Sequence, residues 1–500
     1  MLYQSTRGDL NRVSGAKAIT CGLANDGGLF VPETFPTLTS DSILELTKKS
    51  YSKRTAYIIG LFMSDFTSKE LEEYSDTAYS CNRDSGFTNR EIAPLYKTDE
   101  STHFLELWHG PTCAFKDMAL QIMPRLLTGS LKKLGEKREV CVLVATSGDT
   151  GKAALNGFCD VQGTKIMVFY PRDGVSEVQK LQMTTQHGDN VNVIAVEGNF
   201  DDAQTGVKAI FTDDKLDGKL DEMGCFLSSA NSINWGRLVP QIAYYVSAYC
   251  DLINKNEIIP GEKINFCVPT GNFGNILAAY YAERMGLPIN KLICASNRND
   301  VLAHFINTGQ YNKNRPFYTT ISPSMDILVS SNLERLLFEL SGKNGETVKS
   351  YMSALISEGQ YQISDNVKAE LSRIFQAGYC SEEDTKKTIK YTFKDRGYLI
   401  DTHTAVAYKV LQDYRERTSD DSVSVVVSTA SPYKFCEAVL EALGIQSKES
   451  GANLIDELAK ATRTEIPAPL RALKNEKERF TKTIKKTEMK SSVLDFVRGR

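Results

Sequence analysis

The chain has 500 residues, which is too long for one compact core and suits roughly three domains of ordinary size. Its net charge is -3, from 59 basic and 62 acidic residues, so no overall field would hold a polyanion such as nucleic acid. No apolar run reaches the ~18 residues of a membrane span, and the 11 cysteines form no CxxC pair, which argues against a membrane protein and a cysteine-bound metal.

The histidines and the first residues of the chain add two expectations. The 5 histidines form no HxxxH or HExxH arrangement, so a catalytic metal has little support. Residues 1–7 lack the apolar core of a signal peptide, and the scattered cysteines are typical of reduced thiols, so we expect a cytoplasmic location. We expect a globular enzyme with a small-molecule substrate, no nucleic-acid or membrane partner, no metal, and a monomeric or small homo-oligomeric state.

The first hundred residues show helical patterns but no parallel-strand alternation. A turn with the sequence Asp-Gly-Gly-Leu-Phe-Val-Pro lies at 26–32. Helices are predicted near 41–50, 54–66 and 68–80. We therefore treat 1–100 as a separate, mainly helical region.

From about residue 102, short runs of β-forming residues alternate with helical patterns, as in βα units. The runs are almost continuously apolar, which is typical of parallel strands that helices cover on both faces. They lie at 140–144, 166–170, 191–196, 264–268, 291–295 and 423–427. The pattern predicts an α/β fold built on parallel sheet.

Two later segments depart from this alternation. Between about 335 and 400 the chain is polar and helical, with no strand signal until 398–400, and we interpret it as a helical insertion. Residues 474–500 carry many basic residues, which could form a nucleic-acid-binding arm. A docked carboxy-terminal helix is favoured because apolar residues are interspersed among the charges: Phe480, Ile484, Val493, Leu494, Phe496 and Val497.

The stretch at 106–117 contains the candidate catalytic group, Lys116. An apolar run ends there, a Gly-Pro turn follows, and the lysine opens a predicted helix whose buried face is marked by Phe115, Met118, Ala119, Ile122, Met123, Leu126, Leu127 and Leu131. The positive end of a helix and partial burial both lower the pKa of an amine, which can then bond to an aldehyde at neutral pH. The alternative is an ordinary lysine whose stem lies along a core helix.

Two strand-to-helix turns could hold anions. The turn at 145–154, Ala-Thr-Ser-Gly-Asp-Thr-Gly-Lys-Ala-Ala, offers backbone N–H groups and the hydroxyls of Ser147 and Thr150, which suits an amino acid's carboxylate. The turn at 268–278 contains two glycines that let the backbone approach a phosphate closely. A capped loop without a ligand is the alternative for the first, and the Gly-x-x-Gly pattern of the second is weak evidence alone.

Two further segments place polar groups at helix starts or strand ends. The segment at 228–237 supplies amides, hydroxyls and the guanidinium of Arg237, which suits a phosphate; the alternative is a capping cluster with Arg237 paired to a surface carboxylate. The segment at 427–435 places the hydroxyl of Thr429 after the last predicted strand, where α/β sheets gather ligands; the alternative is a helix cap.

Together, these motifs resemble those of threonine synthases, which are pyridoxal-phosphate enzymes of the tryptophan-synthase-like fold type II. The resemblance covers His-Gly-Pro-Thr at 109–112, Ala-Phe-Lys-Asp at 114–117, and four further motifs in family order. It also covers the amino terminus, where Gln4 interrupts the family's opening, and the segment at 401–406, where Thr402 replaces a usual proline. It implies two parallel-sheet domains with helices on both faces, in addition to the mainly helical amino-terminal region.

The resemblance also implies roles for particular residues. Lys116 would carry the pyridoxal phosphate and act in catalysis, and Thr429 would hydrogen-bond the pyridine nitrogen. The phosphate of the cofactor would be bound by Gly271, Asn272, Phe273, Gly274 and Asn275. The substrate would be bound by Ser147, Asp149 and Thr150 through its carboxylate and by Asn231, Ser232 and Arg237 through its phosphate.

The implied activity converts O-phospho-L-homoserine and water into L-threonine and phosphate. One alternative is a phospho-lyase that gives a 2-oxo acid, ammonia and phosphate, and another is a non-catalytic relative that only binds a ligand or partner. The implied division of the chain is an amino-terminal region at 1–100, a cofactor-binding core at 101–335, a helical insertion at 336–400, and a part at 401–500 that completes the large α/β domain.

Overall fold

Two mainly parallel sheets form the centre of the protein, and smaller antiparallel sheets lie outside them. The computed structural model describes residues 1–79, 81, 86–172, 174–211 and 213–499. The predicted α/β fold is confirmed. The central strands are buried along almost their whole length, because helices cover both faces of the sheets.

The amino-terminal region combines a small antiparallel sheet with the three helices predicted there. Its elements are β1 (Leu2–Ser5), β2 (Val13–Ser14), α1 (Gly15–Cys21), β3 (Phe30–Pro32), α2 (Ser40–Thr47), α3 (Tyr51–Phe62) and α4 (Ser68–Tyr79). The strand order is β2-β1-β3. These strands have 2 to 4 residues, too few to show a two-residue period in the sequence. Residue 80, part of the last predicted helix, lies outside the described residues.

The single helix predicted to begin near Lys116 is divided into two. After β4 (Leu95–Lys97) and β5 (Thr102–Glu106) come α5 (Asp117–Leu120) and α6 (Met123–Leu134). Pro124 lies in the first turn of α6 and has no N–H to donate to the carbonyl of Leu120, so the helix is interrupted before it. Lys116 therefore lies directly before a short helix and not within a first turn, which corrects the prediction.

The first large sheet consists of parallel strands in the order β8-β7-β6-β9. The elements of this part are β6 (Glu139–Ala145), α7 (Asp149–Phe158), β7 (Thr164–Pro171), α8 (Glu177–Thr184), β8 (Val191–Val196), α9 (Phe200–Phe211), α10 (Asp214–Glu222), β9 (Cys225–Ser229) and α11 (Trp235–Asn254). The predicted strands β6, β7 and β8 are confirmed.

The second large sheet draws strands from distant parts of the chain. The elements that follow α11 are β10 (Ile264–Pro269), α12 (Gly274–Met285), β11 (Ile289–Ser296), α13 (Val301–Thr308), β12 (Gln310–Asn312), α14 (Leu333–Leu340), α15 (Gly345–Ser357), β13 (Gln360–Gln362), α16 (Asp365–Ile374), β14 (Phe375–Tyr379), α17 (Glu382–Arg396), α18 (Thr402–Thr418) and β15 (Ser424–Ser428). The order is β14-β11-β10-β15-β5-β4, and all but β4 run parallel.

The segment at 336–400 is more than a helical insertion. It contains β13, which pairs with β12, and β14, which pairs with β11 at the edge of the second large sheet. Ala377 and Gly378 have low strand propensity, and they hide β14 in the sequence. Residues 398–400, where a strand signal was predicted, form no strand.

The carboxy-terminal part contributes to both large sheets. Its remaining elements are α19 (Cys436–Ala442), α20 (Asn453–Thr462), α21 (Ala468–Ala472), β16 (Thr483–Ile484) and α22 (Met489–Val497). β15 joins the second sheet, whereas β16 pairs with β8 at the edge of the first. α22 packs its apolar side against α9 and α10, which confirms the predicted docked helix; residue 500 lies outside the described residues. No helix in the described ranges has the length and apolar character needed to cross a membrane.

Candidate active site

A cleft opens where the carboxyl ends of the two large sheets face each other. In the second sheet, the neighbours β10, β15 and β5 lead into the loops that carry 271–275, Thr429 and Lys116. In the first sheet, the neighbours β6 and β9 lead into the turns at 146–150 and 230–234. Ligands of open α/β sheets gather at such carboxyl ends. The cleft is lined by every site residue predicted from the sequence: Lys116, Ser147, Asp149, Thr150, Asn231, Ser232, Arg237, Gly271, Asn272, Phe273, Gly274, Asn275 and Thr429.

Lys116 projects its amine into this cleft from the residue before α5. Its side chain is 9% exposed, and Nζ donates to Asp149 Oδ2 at 3.2 Å and to Ser324 Oγ at 3.3 Å. Burial lowers the pKa of the amine; Asp149 opposes this shift, whereas the cations Arg237 and Lys434 add to it. The lowered pKa predicted from the sequence is confirmed, and its main cause is burial.

Asp149 is shared between two buried lysines. Its Oδ2 accepts from Lys116, and its Oδ1 lies 3.1 Å from Lys434 Nζ and accepts from Gln179 Nε2 at 2.7 Å. Burial alone would raise the pKa of this carboxyl, but the two lysines hold it well below the usual range. Lys434 is fully buried and also donates to the Thr112 carbonyl at 2.8 Å and to Gln182 Oε1 at 2.6 Å. Asp149 is therefore a fixed anion behind Lys116.

The loop at 271–275 has the geometry of an anion cradle. Phe273 adopts the left-handed φ of 61° and brings the chain into α12, whose amino terminus has no side-chain cap. A Cβ on Gly271 would lie 2.5 Å from the carbonyl oxygen of Ser324, so the close approach of that loop requires glycine. The uncapped N–H groups and the positive end of α12 are available to an anion.

A second group of donors lies in the turn at 230–234 and the first turn of α11, together called the Arg237 turn. The Arg237 guanidinium is 4% exposed and donates through one nitrogen to the Ala230 carbonyl at 2.9 Å. Its buried Nε and the buried Oδ1 of Asn231 have no partner among the described residues. Burial lowers the pKa of Arg237 to about 10, still far above neutrality, so the group is a buried cation. A buried cation without a carboxylate is costly unless an anion reaches it.

Thr429 is tied to the segment that carries Lys116. The N–H of Phe115 donates to the carbonyl of Thr429 at 2.8 Å, and Ala114 forms an antiparallel bridge with Ala430. The threonine side chain is 4% exposed and lines the cleft. This pairing fixes the separation of Lys116 and Thr429, although the two residues lie more than 300 positions apart in the chain.

Comparison with known proteins assigns the family. Three family models match in succession: threonine synthase N terminus over residues 2–79, pyridoxal-phosphate dependent enzyme over 94–361, and threonine synthase, C-terminal over 404–493. Threonine synthase from Pseudomonas aeruginosa is 40% identical over 457 residues, covering 91% of this chain and 93% of that protein. The chain belongs to the threonine synthase family.

Solved structures of threonine synthases share this fold. The pyridoxal-phosphate-bound threonine synthase from Brucella melitensis has a TM-score of 0.87 at 37% identity, covering 100% of this chain and 99% of that one. The yeast threonine synthase has a TM-score of 0.87 at 33% identity, with the same coverage. Human threonine synthase-like 1 is 42% identical over 442 residues, and the chain spans 58% of that protein's length. The predicted fold type and membership of a pyridoxal-phosphate-dependent family are confirmed.

The residues of this threonine synthase family member fit pyridoxal phosphate. The Oδ1 of Asn275 accepts from the hydroxyls of Tyr244 and Tyr245, both at 2.6 Å, whereas its buried Nδ2 has no partner among the described residues. It is an unused donor at the uncapped start of α12, where a phosphate would be stabilised. Lys116, with its lowered pKa, lies in the same cleft to receive the aldehyde. The site residues are thus brought together, and their individual roles remain predictions.

Several residues at or next to this cleft were missed in the sequence. His403 lines it, and its Nε2 accepts the N–H of Ser324 at 3.2 Å, which leaves Nδ1 to donate to Asp401 Oδ2 at 2.8 Å. The Asp-Thr-His-Thr sequence at 401–404 begins α18 and could have indicated this pair. Ser324 had no comparable local signal, and Lys434 lay in the predicted segment at 427–435 without an assigned role, because the fold alone brings these residues to Lys116 and Asp149.

Proposed function

We propose that the chain is a threonine synthase that converts O-phospho-L-homoserine and water into L-threonine and phosphate. The observation that supports this proposal most directly is the buried, partly unpaired guanidinium of Arg237. It lies in the same cleft as Lys116 but is separate from the glycine loop at 271–275. The cleft therefore has donors for two anions: the glycine loop for the phosphate of the cofactor and the Arg237 turn for the phosphate of a substrate.

Lys116 would carry out the proton transfers. Bound pyridoxal phosphate supplies an aldehyde that bonds to amines and a ring that withdraws electrons from the substrate. The Nζ of Lys116 would take the proton from Cα, pass it on, and then take one from Cβ, while Arg237 would stabilise the phosphate as it leaves the γ carbon. Water would then supply the hydroxyl at Cβ, and the three protons released from Cα, Cβ and water would go to Cγ, to Cα and to the departing phosphate. Ser324, 3.3 Å from Nζ, would keep the amine directed into the cleft. Burial lowers the pKa of the Lys116 amine, which favours its role as a base.

The residues at 147–150 would divide their roles. Ser147 and Thr150 would bind the carboxylate of the substrate through their hydroxyls and the N–H groups that begin α7. Asp149 was predicted to bind substrate as well, but its oxygens already accept from Lys116, Lys434 and Gln179. A carboxylate would also repel the carboxylate of the substrate. We therefore propose that Asp149 orients Lys116 and does not contact the substrate.

A phospho-lyase that gives a 2-oxo acid, ammonia and phosphate is the alternative within the same cleft. Product analysis with O-phospho-L-homoserine separates the two: threonine synthase activity yields threonine, whereas the lyase yields 2-oxobutanoate. Threonine as the main product supports the proposal. Formation of 2-oxobutanoate without threonine, or no product from protein carrying its cofactor, would reject it.

Arg237→Lys is expected to weaken phosphohomoserine binding by about 10- to 100-fold. The planar guanidinium, which can donate two hydrogen bonds to one phosphate, is replaced by an ammonium group, and one hydrogen bond to a charged group is lost. Titration of the purified protein with substrate measures this change. Cofactor retention and homoserine binding should barely change, since neither depends on the phosphate of the substrate. Loss of cofactor with unchanged substrate affinity would place Arg237 in the cofactor phosphate site instead.

Thr429→Asp is expected to change the course of the reaction. A neutral hydroxyl does not hold a pyridine nitrogen protonated, whereas a carboxylate at the same place favours protonation and stronger electron withdrawal. Stopped-flow absorbance after mixing with phosphohomoserine should show a new long-wavelength band. Thr429→Ser, which keeps the hydroxyl, should show none. An unchanged spectrum and product ratio in the aspartate variant would leave Thr429 with a structural role only.

We also propose the cellular setting and the domain division. The 11 cysteines are all free, which suits a reducing compartment, and we propose the cytoplasm. Because the charge is nearly balanced, we propose that the chain has no nucleic-acid partner. We also propose a monomer or small homo-oligomer. The division at 1–100, 101–335, 336–400 and 401–500 is also a proposal; β14 and β16 show that the last two parts supply strands to the central sheets.

A further inference from the structure

Asn332 lies between the two proposed phosphate sites. Its fully buried side chain precedes α14 and contacts both the glycine loop and the Arg237 turn. Its Nδ2 donates to the carbonyl of Asn272 at 2.9 Å and to the hydroxyl of Ser232 at 2.8 Å. One amide group therefore bridges a loop that follows β10 and a turn that follows β9, in different sheets.

Arg335 fixes the orientation of this amide. Its guanidinium, also fully buried, donates to Asn332 Oδ1 at 2.5 Å, so the two hydrogens of Nδ2 must point toward the two loops. Arg335 also donates to the carbonyls of Ser232 and Ile233, at 3.1 and 2.7 Å. The Arg237 turn is thus held from behind by the same pair of side chains.

The bridge determines which groups each site offers to a ligand. The carbonyl of Gly271 accepts from Ser330 and that of Asn272 accepts from Asn332, so both carbonyls are turned away from the cradle. The hydroxyl of Ser232 accepts from Asn332, which leaves its own hydrogen free to donate to an anion. Asn332 therefore links the Ser232 hydroxyl at one site to the Asn272 backbone carbonyl at the other.

We infer that Asn332 couples the two phosphate sites, so that occupation of the substrate phosphate site strengthens retention of the cofactor, and cofactor binding strengthens phosphate binding by the same factor. This inference rests on the proposed function, because it requires a substrate phosphate at Ser232 and Arg237. Such coupling is reciprocal by thermodynamic necessity. Asn332 and Arg335 are positioning residues, since neither lines the cleft itself.

The test is the rate of cofactor release from the holoprotein with and without inorganic phosphate. With the cofactor in place, the glycine loop is filled, which leaves the substrate site as the proposed site for added phosphate. In the unaltered protein, saturating phosphate is expected to slow release by about fivefold or more, the usual lower range of such coupling. Asn332→Ala should release the cofactor faster and lose the effect of phosphate.

A second variant keeps the site folded. Asn332→Asp has the same shape and gains an ion pair with Arg335, but it places an acceptor opposite the Asn272 carbonyl, so it should also lose the coupling. Asn265→Ala is the matched control: Asn265 is fully buried, and its amide bonds Asp420 and Ser424 at the opposite end of β10. The control should keep the full effect of phosphate on cofactor release, even if its melting temperature falls.

The outcomes separate the inference from the proposed function. Phosphate binding by the unaltered holoprotein that leaves cofactor release unchanged would overturn the coupling alone. An undiminished phosphate effect in both Asn332 variants would overturn the role of Asn332. Absence of any phosphate binding, measured by direct titration, would overturn the substrate phosphate site and the coupling with it.

Discussion

Lys116→Ala is expected to abolish turnover and leave the fold largely intact. The substitution removes the only amine predicted to bond the cofactor and move the substrate protons, and it opens no large apolar cavity. Asp149 keeps its contacts with Lys434 and Gln179 in the variant, so no buried carboxylate is left unpaired. Activity with phosphohomoserine and circular dichroism measure the two parts of this expectation.

Borohydride reduction followed by peptide mapping identifies the lysine that carries the cofactor. We expect the reduced adduct on Lys116. Lys152 is a demanding control, because burial lowers the pKa of its amine to about 8, yet it does not line the cleft and bonds Gln186 at 2.6 Å. An adduct on Lys152 or another lysine, or on none, would contradict the assignment. Lys152→Ala should keep both activity and the adduct on Lys116.

Asp149→Asn is expected to lower the free energy of unfolding by about 3–5 kcal/mol, because it leaves two buried lysines without their shared carboxylate. The pKa of this carboxyl is depressed in the folded protein, so its contribution is fully present above the usual pKa of aspartate, about 3.9, and is lost as the pH falls through the lower folded value. The destabilisation should therefore be full at neutral pH and shrink in acid.

Thermal unfolding at several pH values measures this effect. The control is Asp221→Asn, which removes a carboxylate that lies 2.7 Å from Arg138 on the surface and should cost only ~0–1 kcal/mol. If Asp149→Asn unfolds at the same temperature as the unaltered protein at neutral pH, the carboxylate is not the anchor of the two lysines. The variant should also lower the pKa of Lys116 further, since it removes the neighbouring anion.

The candidate site could be predicted largely because its parts are local. Each predicted segment is a strand, a turn and a helix start within about ten residues, and such units place backbone N–H groups and side chains at a strand end wherever the strand lies. The residues next to each site residue therefore indicate its position at a strand end or helix start, as for Lys116, Gly271, Gly274 and Arg237. Family resemblance then supplied roles that the residue pattern alone left open.

The sequence by itself thus determined the chemistry of the segments: apolar strands, polar turns after them, and a lysine close to a helix start. The tertiary structure alone decided which segments meet. In the sheet, β10, β15 and β5 are neighbours, although they are far apart in the sequence. Asn332 bonds Ser232, which lies 100 residues earlier in the chain. Lys434 faces Asp149 for the same reason. These contacts arise from packing between distant segments, and such packing leaves no periodicity in the sequence. Helices and strands arise from local hydrogen bonding and burial, which do leave a periodic pattern.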